Sequence, residues 1–381
     1  MNNLALYIHW PYCARICPYC DFNVVRAGRD GDEPAALADA IVRDIEGQAA
    51  RIGERRLTSI FFGGGTPSLM PPAYAARMIE TAKRLFAPAP DLEITLEANP
   101  TDAEAARFEA FADAGVKRLS LGVQSLNDAS LKVLGRNHDA AEARRAAEVA
   151  RKVFARLSVD LIYALPDESP EVWRRELKDA LTALQPEHVS PYQLTIESGT
   201  AFDRAVTRGT LVPPDEDAGA ALFDVTQAVL ERHGFDAYEV SNHAHSDSAR
   251  SRHNLAIWRG AEYLGAGPGG HGRLALDGAR TATRTARGVK DYIGRVGKTG
   301  VGFDTLEPLS AREAAEERVM FGLRIREGVE IGALTNLDLS PASPKVATLI
   351  DAGLLTIDTD RVRATPAGRL VLDRVVRELV T

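Results

Sequence analysis

The chain has 381 residues, 45% of them hydrophobic and 26% charged, which is enough for one large domain and a smaller one beside it. Its 46 Lys and Arg against 53 Asp and Glu give a net charge of −7, which argues against a protein whose main task is binding nucleic-acid phosphates. The N-terminus lacks a signal-peptide pattern, and no run approaches the ~20 apolar residues of a membrane-spanning helix. We therefore expect a cytoplasmic protein that binds no nucleic acid, with peripheral membrane association and a homodimer left open.

Apolar, β-branched runs alternate with Ala- and Arg-rich stretches of helical periodicity through the first 245 residues. The predicted strands are Leu4–Trp10, Leu57–Phe62, Leu92–Ala98, Arg118–Gln124, Leu157–Leu165, His188–Ile196 and Tyr238–Asn242. The predicted helices between them are Pro34–Arg51, Pro72–Phe86, Asp102–Ala114, Asn127–Phe154 with a break near Gly135, Pro170–Leu184 and Asp215–His233. Repeated strand–helix units imply parallel strands with right-handed crossovers. The pattern therefore predicts an α/β fold, a TIM-like and partial (β/α)6–7 barrel.

The strand–helix pattern stops after residue 245, where a glycine-rich run at Tyr263–Gly272 predicts a tight loop. The last part of the chain predicts helices and one hairpin, at Ala311–Ile325, Ile331–Leu337, Ser343–Ala352, 354–358 with 361–365, and Pro366–Leu379. Helices followed by a small hairpin resemble a winged-helix module. We accordingly divide the chain into a barrel at 1–245, a connecting segment at 246–305 and a mainly helical C-terminal domain at 306–381, whose simplest role is a packing lid.

The chain has only three cysteines, Cys13, Cys17 and Cys20, in the spacing C-x3-C-x2-C. An odd number within eight residues is a poor disulfide framework, whereas one loop with three thiolates is typical of a [4Fe–4S] cluster. Three thiolates on four irons leave one iron open, which the amino and carboxylate groups of S-adenosylmethionine (SAM) can chelate. One electron from such a cluster cleaves SAM to a 5′-deoxyadenosyl radical. The alternatives are a zinc site, with His9 as fourth ligand, and a redox thiol pair.

The segment from Tyr7 to Asn23, which contains the cysteines, resembles the radical SAM HemN/HemW family. Five further motifs resemble it in the same order, at residues 62–68 (FGGGTPS), 96–100 (LEANP), 121–125 (LGVQS), 134–138 (LGRNH) and 159–166 (VDLIYALP). Each motif lies at or just beyond the C-terminal end of a predicted strand, where the active sites of barrel enzymes are built. The resemblance implies a radical SAM barrel that carries the cluster and SAM.

The resemblance also implies which positions contact SAM. They are Tyr7, Tyr19, Gly63, Gly64, Gly65, Thr66, Glu97, Gln124, Arg136 and Asp160. The glycines allow close backbone approach, so that their carbonyls can meet the SAM ammonium. An arginine suits a carboxylate through its planar fork, and carboxylates suit ribose hydroxyls or an amino group. No catalytic residue is singled out.

The family has two functional classes, and several features favour the second. HemN proteins are oxygen-independent coproporphyrinogen III oxidases of porphyrin biosynthesis, whereas HemW proteins are heme chaperones. HemN-type sequences carry a further cysteine where this chain has Phe22, and they have a longer N-terminal segment. The resemblance therefore implies a heme chaperone that delivers heme to apo-hemoproteins such as respiratory enzymes. A coproporphyrinogen oxidase, and a radical SAM enzyme acting on an unrelated substrate, are the alternatives.

The segment Arg252–Trp258 resembles the H-N-x-x-Y-W heme-binding motif of HemW proteins, with Ile257 in place of the tyrosine. By this resemblance His253 is the candidate axial ligand of heme, and Asn254 and Trp258 are further candidate contacts. A neutral imidazole suits heme iron, and an indole offers a flat apolar face to a porphyrin. The alternative ligands are His243, His245 and His271.

Overall fold

The computed structural model describes residues 1–28, 33–102 and 105–381. Strands and helices alternate through the first part of the chain. In order they are β1 (Asn3–Trp10), β2 (Tyr12–Cys13), β3 (Val25–Arg26), α1 (Pro34–Ile52), β4 (Arg56–Gly64), α2 (Pro72–Leu85), β5 (Ala87–Ala98), α3 (Ala105–Asp113), β6 (Arg118–Gln124), α4 (Asp128–Val133), α5 (Ala140–Val153), β7 (Arg156–Tyr163), α6 (Pro170–Leu184), β8 (His188–Gln193), α7 (Ala201–Thr207), α8 (Glu216–Arg232) and β9 (Asp236–Glu239).

The second part of the chain begins with strands and ends with helices. In order the elements are β10 (Asn242–Ala244), α9 (Arg252–Trp258), β11 (Glu262–Ala266), β12 (His271–Leu276), β13 (Ala279–Thr285), α10 (Val289–Thr299), β14 (Phe303–Pro308), α11 (Ala311–Gly322), β15 (Val329–Glu330), α12 (Ile331–Thr335), α13 (Pro344–Asp351), β16 (Leu355–Asp358), β17 (Arg361–Ala364), α14 (Pro366–Leu370) and α15 (Leu372–Val380).

The predicted strands and helices of the first 245 residues are confirmed, except that the predicted strand Tyr238–Asn242 is replaced by the two short antiparallel strands β9 and β10, with a turn at 240–241 between them. The predicted helix Asn127–Phe154 is divided into α4 and α5 because Gly135 adopts a φ of 65°. Asn127 and Asp139 then cap the two helices, and Asp139 forms a capping box with Glu142. Residues 103 and 104, at the start of the predicted helix Asp102–Ala114, lie outside the described residues.

The parallel strands stand side by side in the order β1-β4-β5-β6-β7-β8, and β11 adds a further parallel strand beside β1. Antiparallel strands extend both edges, with β12, β13 and β14 beyond β11, and β10 and β9 beyond β8. The predicted partial barrel is therefore confirmed. Among the described residues, no backbone ladder joins β9 to β14, so hydrogen bonds do not close the sheet.

The predicted domain boundaries remain predictions, but the described residues show where each segment lies. Strands β11, β12 and β13, from the segment called connecting, continue the main sheet. The elements α11–α15 pack on a separate hydrophobic core beside the small sheet β15-β17-β16. The glycine-rich run forms part of β11 and the turn after it. Glycine is needed there because the backbone of β12 packs very close to β11: a Cβ at Gly265 would lie 2.2 Å from the His271 carbonyl oxygen.

The interior of the barrel is polar. Along β5, β6 and β7 the residues that alternate with the apolar core positions are polar and buried: Thr95, Glu97, Arg118, Ser120, Ser158 and Asp160. Their neighbours in the chain, such as Leu96, Leu119 and Val159, pack outward in the main hydrophobic core. A TIM barrel interior is usually filled with branched apolar side chains. Buried polar side chains in this position therefore point to a site inside the barrel.

Candidate functional site

A cavity of about 310 Å³ opens at the C-terminal ends of the parallel strands. It brings together eleven of the thirteen residues predicted to hold the cluster and SAM: Cys13, Cys17, Cys20, Tyr19, Gly64, Gly65, Thr66, Glu97, Gln124, Arg136 and Asp160. These residues come from five strands and the loops that follow them, over a sequence span of 148 positions. Parallel pairing places the carboxyl ends of all these strands at one rim, which is why residues so far apart in the chain meet.

The cysteine loop leaves β1 and returns along β3. The Ala27 amide donates to the Cys13 carbonyl at 2.8 Å, and the Cys20 amide donates to the Cys17 carbonyl at 3.2 Å, so the loop is a compact turn. All three thiols are free, and burial raises the pKa of Cys13 to about 11 and also raises the pKa of Cys20. Positive charge from bound iron is what would stabilise these thiolates. In the described parts of the chain, no three His, Cys, Asp or Glu side chains form a group that could hold a single metal ion.

Arg136 connects the cysteine loop to the strand ends. Its guanidinium donates to the Asn99 side chain at 2.7 Å and to the Gly122 carbonyl at 2.8 Å, and it lies 3.4 Å from the Cys17 sulfur. A guanidinium held by these contacts beside the thiols is placed to donate its N–H groups to the oxygens of a bound carboxylate. Asn99, which sequence reasoning placed at a strand end but did not assign to the site, thereby positions Arg136.

Glu97 and Asp160 are buried carboxyls on the inner wall of the cavity. Burial, reinforced by the charge of Asp160, raises the pKa of Glu97 to about 8. Burial also raises the pKa of Asp160, although Ser120 donates to its two oxygens at 3.1 and 3.2 Å. Ionising two buried carboxyls in the free protein costs desolvation free energy. A cationic ligand favours their ionised forms, because its positive charge offsets that cost.

The packing of neighbouring residues and the backbone conformation require glycine at Gly63, Gly64 and Gly65. A Cβ on Gly63 would lie 2.8 Å from the Tyr7 ring, and one on Gly65 would lie 2.7 Å from the Pro11 backbone. Gly64 has a φ of 112°, and a Cβ there would lie 2.6 Å from the His9 ring. Close packing against β1 therefore requires the run, while Gly64 and Gly65 also line the cavity.

Tyr7 and Gly63 do not line the cavity. The Tyr7 hydroxyl lies 3.1 Å from His9 Nδ1, and its ring stacks on Phe61, deeper in the barrel. Gln124, by contrast, faces the cavity with a φ of 66°, in the left-handed region that non-glycine residues rarely adopt. Its buried Oε1 has no hydrogen-bond partner within the described structure. Strain and an unpaired acceptor at one residue are typical of a ligand site.

The predicted heme residues lie on α9, outside the residues that line the cavity. His253 is 3% exposed, with Nδ1 3.0 Å from the Ser59 hydroxyl and its ring stacked on Phe61. Burial, with the nearby Arg118 charge, lowers the pKa of His253 to about 3, so its imidazole is neutral. The structure therefore holds this side chain inside the barrel.

Asn254 and Trp258 occupy different positions along the same helix. The backbone amide of Asn254 donates to the hydroxyl oxygen of Ser251, the N-cap residue of α9, at 3.3 Å. Trp258 is half-buried, and the Arg324 guanidinium stands 4.6 Å above its ring. Phe321 meets the same ring edge-on at 5.3 Å. Helix α9 is thus enclosed between the barrel and the C-terminal helices.

The alternative histidines are separate from α9. His243 is buried and lies 3.1 Å from the Gln227 side-chain oxygen. His245 and His271 are exposed, and His245 Nδ1 lies 3.1 Å from the Gly234 carbonyl oxygen. Of the four candidate heme ligands, only His245 and His271 are therefore accessible to a large ligand at the surface of the described structure.

Sequence reasoning missed the wall of the cavity that comes from the end of β8 and its loop. Tyr192, Gln193, Leu194 and Thr195 all line it. The position of these residues at the end of a predicted strand was the signal that could have found them. Exposed Ile16 and Phe22 complete an apolar mouth on the cysteine loop.

The raised pKa of Glu97 predicts that SAM binding strengthens as the pH rises from 6 to about 8. Between pH ~4.5 and 8 the folded chain holds a proton on Glu97 that the unfolded chain has lost, so the stability of the free protein falls as pH rises through this window. A cationic ligand must displace that proton, at a cost of up to about tenfold in affinity per pH unit. Isothermal titration with SAM at several pH values measures this, and Glu97→Gln should abolish the dependence. A pH-independent affinity in the unaltered protein would contradict the assignment.

Comparisons with known proteins agree with this geometry. Residues 7–180 match the Radical SAM superfamily, and residues 309–371 match the HemN C-terminal domain. The chain is 40% identical to the mitochondrial Radical S-adenosyl methionine domain-containing protein 1 of Bos taurus, over 99% of this chain and 87% of the relative. It is 35% identical to the heme chaperone HemW of Escherichia coli, over 98% of this chain and 97% of the relative. The solved structure of coproporphyrinogen III oxidase (HemN) from Escherichia coli has the same fold, with a TM-score of 0.82 at 22% identity over 100% of this chain and 90% of that one.

Proposed function

The chain belongs to the radical SAM family that contains the HemW heme chaperones, and on that basis we propose that it binds heme and delivers it to apo-hemoproteins. The observation that carries the proposal is the identity of 32–35% to three bacterial proteins named heme chaperone HemW, over at least 97% of this chain. The likeness to the oxidase concerns the fold alone.

Membership of the radical SAM family implies a [4Fe–4S] cluster and SAM, and the residues of the cavity fit both. Three thiols face one cavity, and Arg136 beside Cys17 and the unpaired Gln124 acceptor offer polar contacts to a ligand. When bound, the cluster and SAM together supply one-electron cleavage of the sulfonium bond. In this proposal Cys13, Cys17 and Cys20 hold the cluster. Arg136 orients the SAM carboxylate.

In this proposal the remaining predicted SAM contacts line the cavity or supply charge that complements the ligand. Glu97 and Asp160 balance the cationic groups of SAM, and the buried position of both keeps water away from them. Tyr19 and Thr66 line the cavity beside the cysteine loop. Tyr7 and Gly63 support this wall from behind, through the packing of the Tyr7 ring against the glycine backbone.

Phe22 supports the chaperone over the oxidase. It is 66% exposed at the cavity mouth, at the position where HemN-type sequences carry a further cysteine. A phenyl ring cannot bind metal, and it adds apolar surface at the entrance. A porphyrinogen assay on the reduced, SAM-loaded protein separates the two functions: loss of propionate carboxyl groups as CO2 would establish the oxidase.

For heme, we propose His253 as axial ligand, with Asn254 and Trp258 as further contacts. The imidazole is neutral, as a heme ligand must be. Because His253 is buried and α9 is enclosed by Arg324 and Phe321, heme reaches it only when α9 leaves the barrel. Heme binding is therefore expected to be slow, with a rate set by the opening of α9.

Heme titration followed by the Soret band tests this assignment. His253→Ala should weaken heme binding at least tenfold, and His253→Gln, which can keep a hydrogen bond to Ser59, should weaken it similarly because an amide is a poor iron ligand. His245→Ala, an exposed histidine away from α9, is the control and should bind as the unaltered protein does. Retained binding in both His253 variants would exclude His253, and no heme binding at all would overturn the proposed function.

The proposed partners follow from heme delivery. Respiratory enzymes are the proposed clients, and the cytoplasm is the proposed compartment. Peripheral membrane association and a homodimer stay open for this chain. Across the residues that the structure describes, none of the helices has the length and apolar character needed to cross a bilayer. Transfer of bound heme to an apo-cytochrome, followed by its absorption spectrum, tests the delivery step.

A further inference from the structure

Arg118 is a buried arginine at the start of β6, inside the barrel. Its exposure is 2%, and its Cα is paired with Thr95 on β5 and Arg156 on β7. Throughout the described residues its side chain makes no hydrogen bond and no ion pair, and Nε is buried without a partner. A buried charge left alone costs several kcal/mol, so some other charge in the barrel must balance this guanidinium.

Two of the other buried carboxylates near Arg118 already have partners. Glu93 pairs with Arg156 at 2.7 Å and accepts the amides of Arg252 and His253. Glu239 pairs with Arg324 at 3.4 Å and also accepts from Ser241 and Asn242. These carboxylates are committed to holding α9 and the C-terminal helices, and cannot also neutralise Arg118.

Glu97 and Asp160 are the carboxyls left to balance it. Along β5 and β6, Glu97 is paired with Ser120, one inward position above the level of Arg118. Asp160 on β7 is paired with Gly122, one position higher again, and binds the Ser120 hydroxyl. The two carboxyls therefore stand above Arg118 in the lumen, between it and the cavity.

We infer that Arg118 is a positioning residue for SAM, whose positive charge favours the ionised forms of Glu97 and Asp160, so that both can give up their protons and hold the cationic groups of the ligand when it binds. The inference rests on the proposed SAM site. One cation and two anions leave this part of the lumen one unit negative. The sulfonium and ammonium of SAM suit this negative charge, while its carboxylate is assigned to Arg136 at the rim of the same cavity. Arg118 does not touch the ligand in this arrangement and acts through the carboxyls.

Other charged and titratable groups face this part of the lumen from the surrounding elements. They are Glu93, Glu97, Arg156, Asp160, His188, Tyr192, Tyr238, Glu239, His253, Arg324 and, at the rim, Arg136. Burial lowers the pKa of His188 and His253 far enough that both are neutral near pH 7. The Arg118 charge lowers the pKa of both Glu97 and Asp160 against the effect of burial. Because His188 and His253 are neutral, neither adds a positive charge to that of Arg118 beside the two carboxyls.

The test is the pH profile of SAM affinity for the cluster-loaded, unreduced protein, measured by titration calorimetry in Arg118→Met, Arg118→Gln and Arg118→Lys. Loss of the cation should raise the pKa of the carboxyls, so the Met and Gln variants should bind SAM about tenfold more weakly at pH 7. At pH 9.5, where the carboxyls ionise in every variant, their affinities should approach that of the unaltered protein. Arg118→Lys should keep the original profile.

Thr95→Val is the matched control, because Thr95 is the paired neighbour of Arg118 and valine has the same shape without a charge change. Its profile should not move. A loss of SAM affinity that is equal at every pH in the Met and Gln variants would make Arg118 merely structural and overturn the inference. An unaltered profile in folded Met and Gln variants would overturn it as well. If the unaltered protein itself bound no SAM at any pH, the proposed SAM site would fail instead.

Discussion

Replacing Cys17 with alanine is expected to abolish the iron–sulfur cluster. The chain has only three cysteines, so no other thiol can take the vacant place, and two thiolates cannot hold a four-iron cluster open to SAM. Iron in the anaerobically reconstituted protein should fall from about four atoms per chain to near none. SAM affinity should fall with it, because the open iron of the proposed cluster would supply part of the SAM site.

Iron analysis and the visible absorption spectrum measure this outcome. Ile16→Ala is the control, since this neighbour of Cys17 is exposed and has no thiol, and it should retain full iron. Stoichiometric zinc in the unaltered protein would contradict the cluster and favour the zinc alternative. Loss of only part of the iron–sulfur absorbance in Cys17→Ala would equally show that this thiol is not an essential ligand.

Glu93→Ala is expected to lower the free energy of unfolding by about 3 kcal/mol. The Glu93 side chain is 1% exposed and accepts from Arg156 at 2.7 Å, and its other oxygen accepts the Arg252 and His253 amides at 3.0 and 3.2 Å. Removing the carboxylate leaves the guanidinium without its buried partner and leaves the first amides of α9 without an acceptor. Urea unfolding measures the loss.

The same variant should loosen α9 and thereby change heme uptake. Amide hydrogen exchange in α9 should accelerate, and heme should bind faster than it does to the unaltered protein. Glu46→Ala is the matched control, because its ion pair with Arg84 is exposed, and it should change stability by less than ~1 kcal/mol. Unchanged exchange in α9 after Glu93→Ala would show that this carboxylate does not hold the helix.

The barrel could be predicted because its strand–helix units are local in the sequence. Each unit, such as β6 with the Asn127-capped α4, carries its own periodicity and cap. Strands β11 to β14 were not predicted. Strand β11 pairs with β1, which lies at the other end of the barrel sequence, as in the pair of Leu4 with Glu262, and β12, β13 and β14 then follow β11 as antiparallel neighbours. The glycines that permit the close contacts of β11 and its turn are typical of a loop in the sequence.

The sequence by itself determined the cysteine loop, the parallel barrel and the rim at which the predicted SAM contacts meet, because short motifs and strand ends encode them locally. Only the tertiary structure decided where the heme motif lies and which charges share the barrel interior. His253 is recognisable in the sequence, but its burial against Ser59 and Phe61 depends on strands far away in the chain. The role inferred for Arg118 likewise depends on the ion pairs that Glu93 and Glu239 already make with other arginines. Burial and ion pairing are properties of the assembled barrel and cannot be read from the sequence.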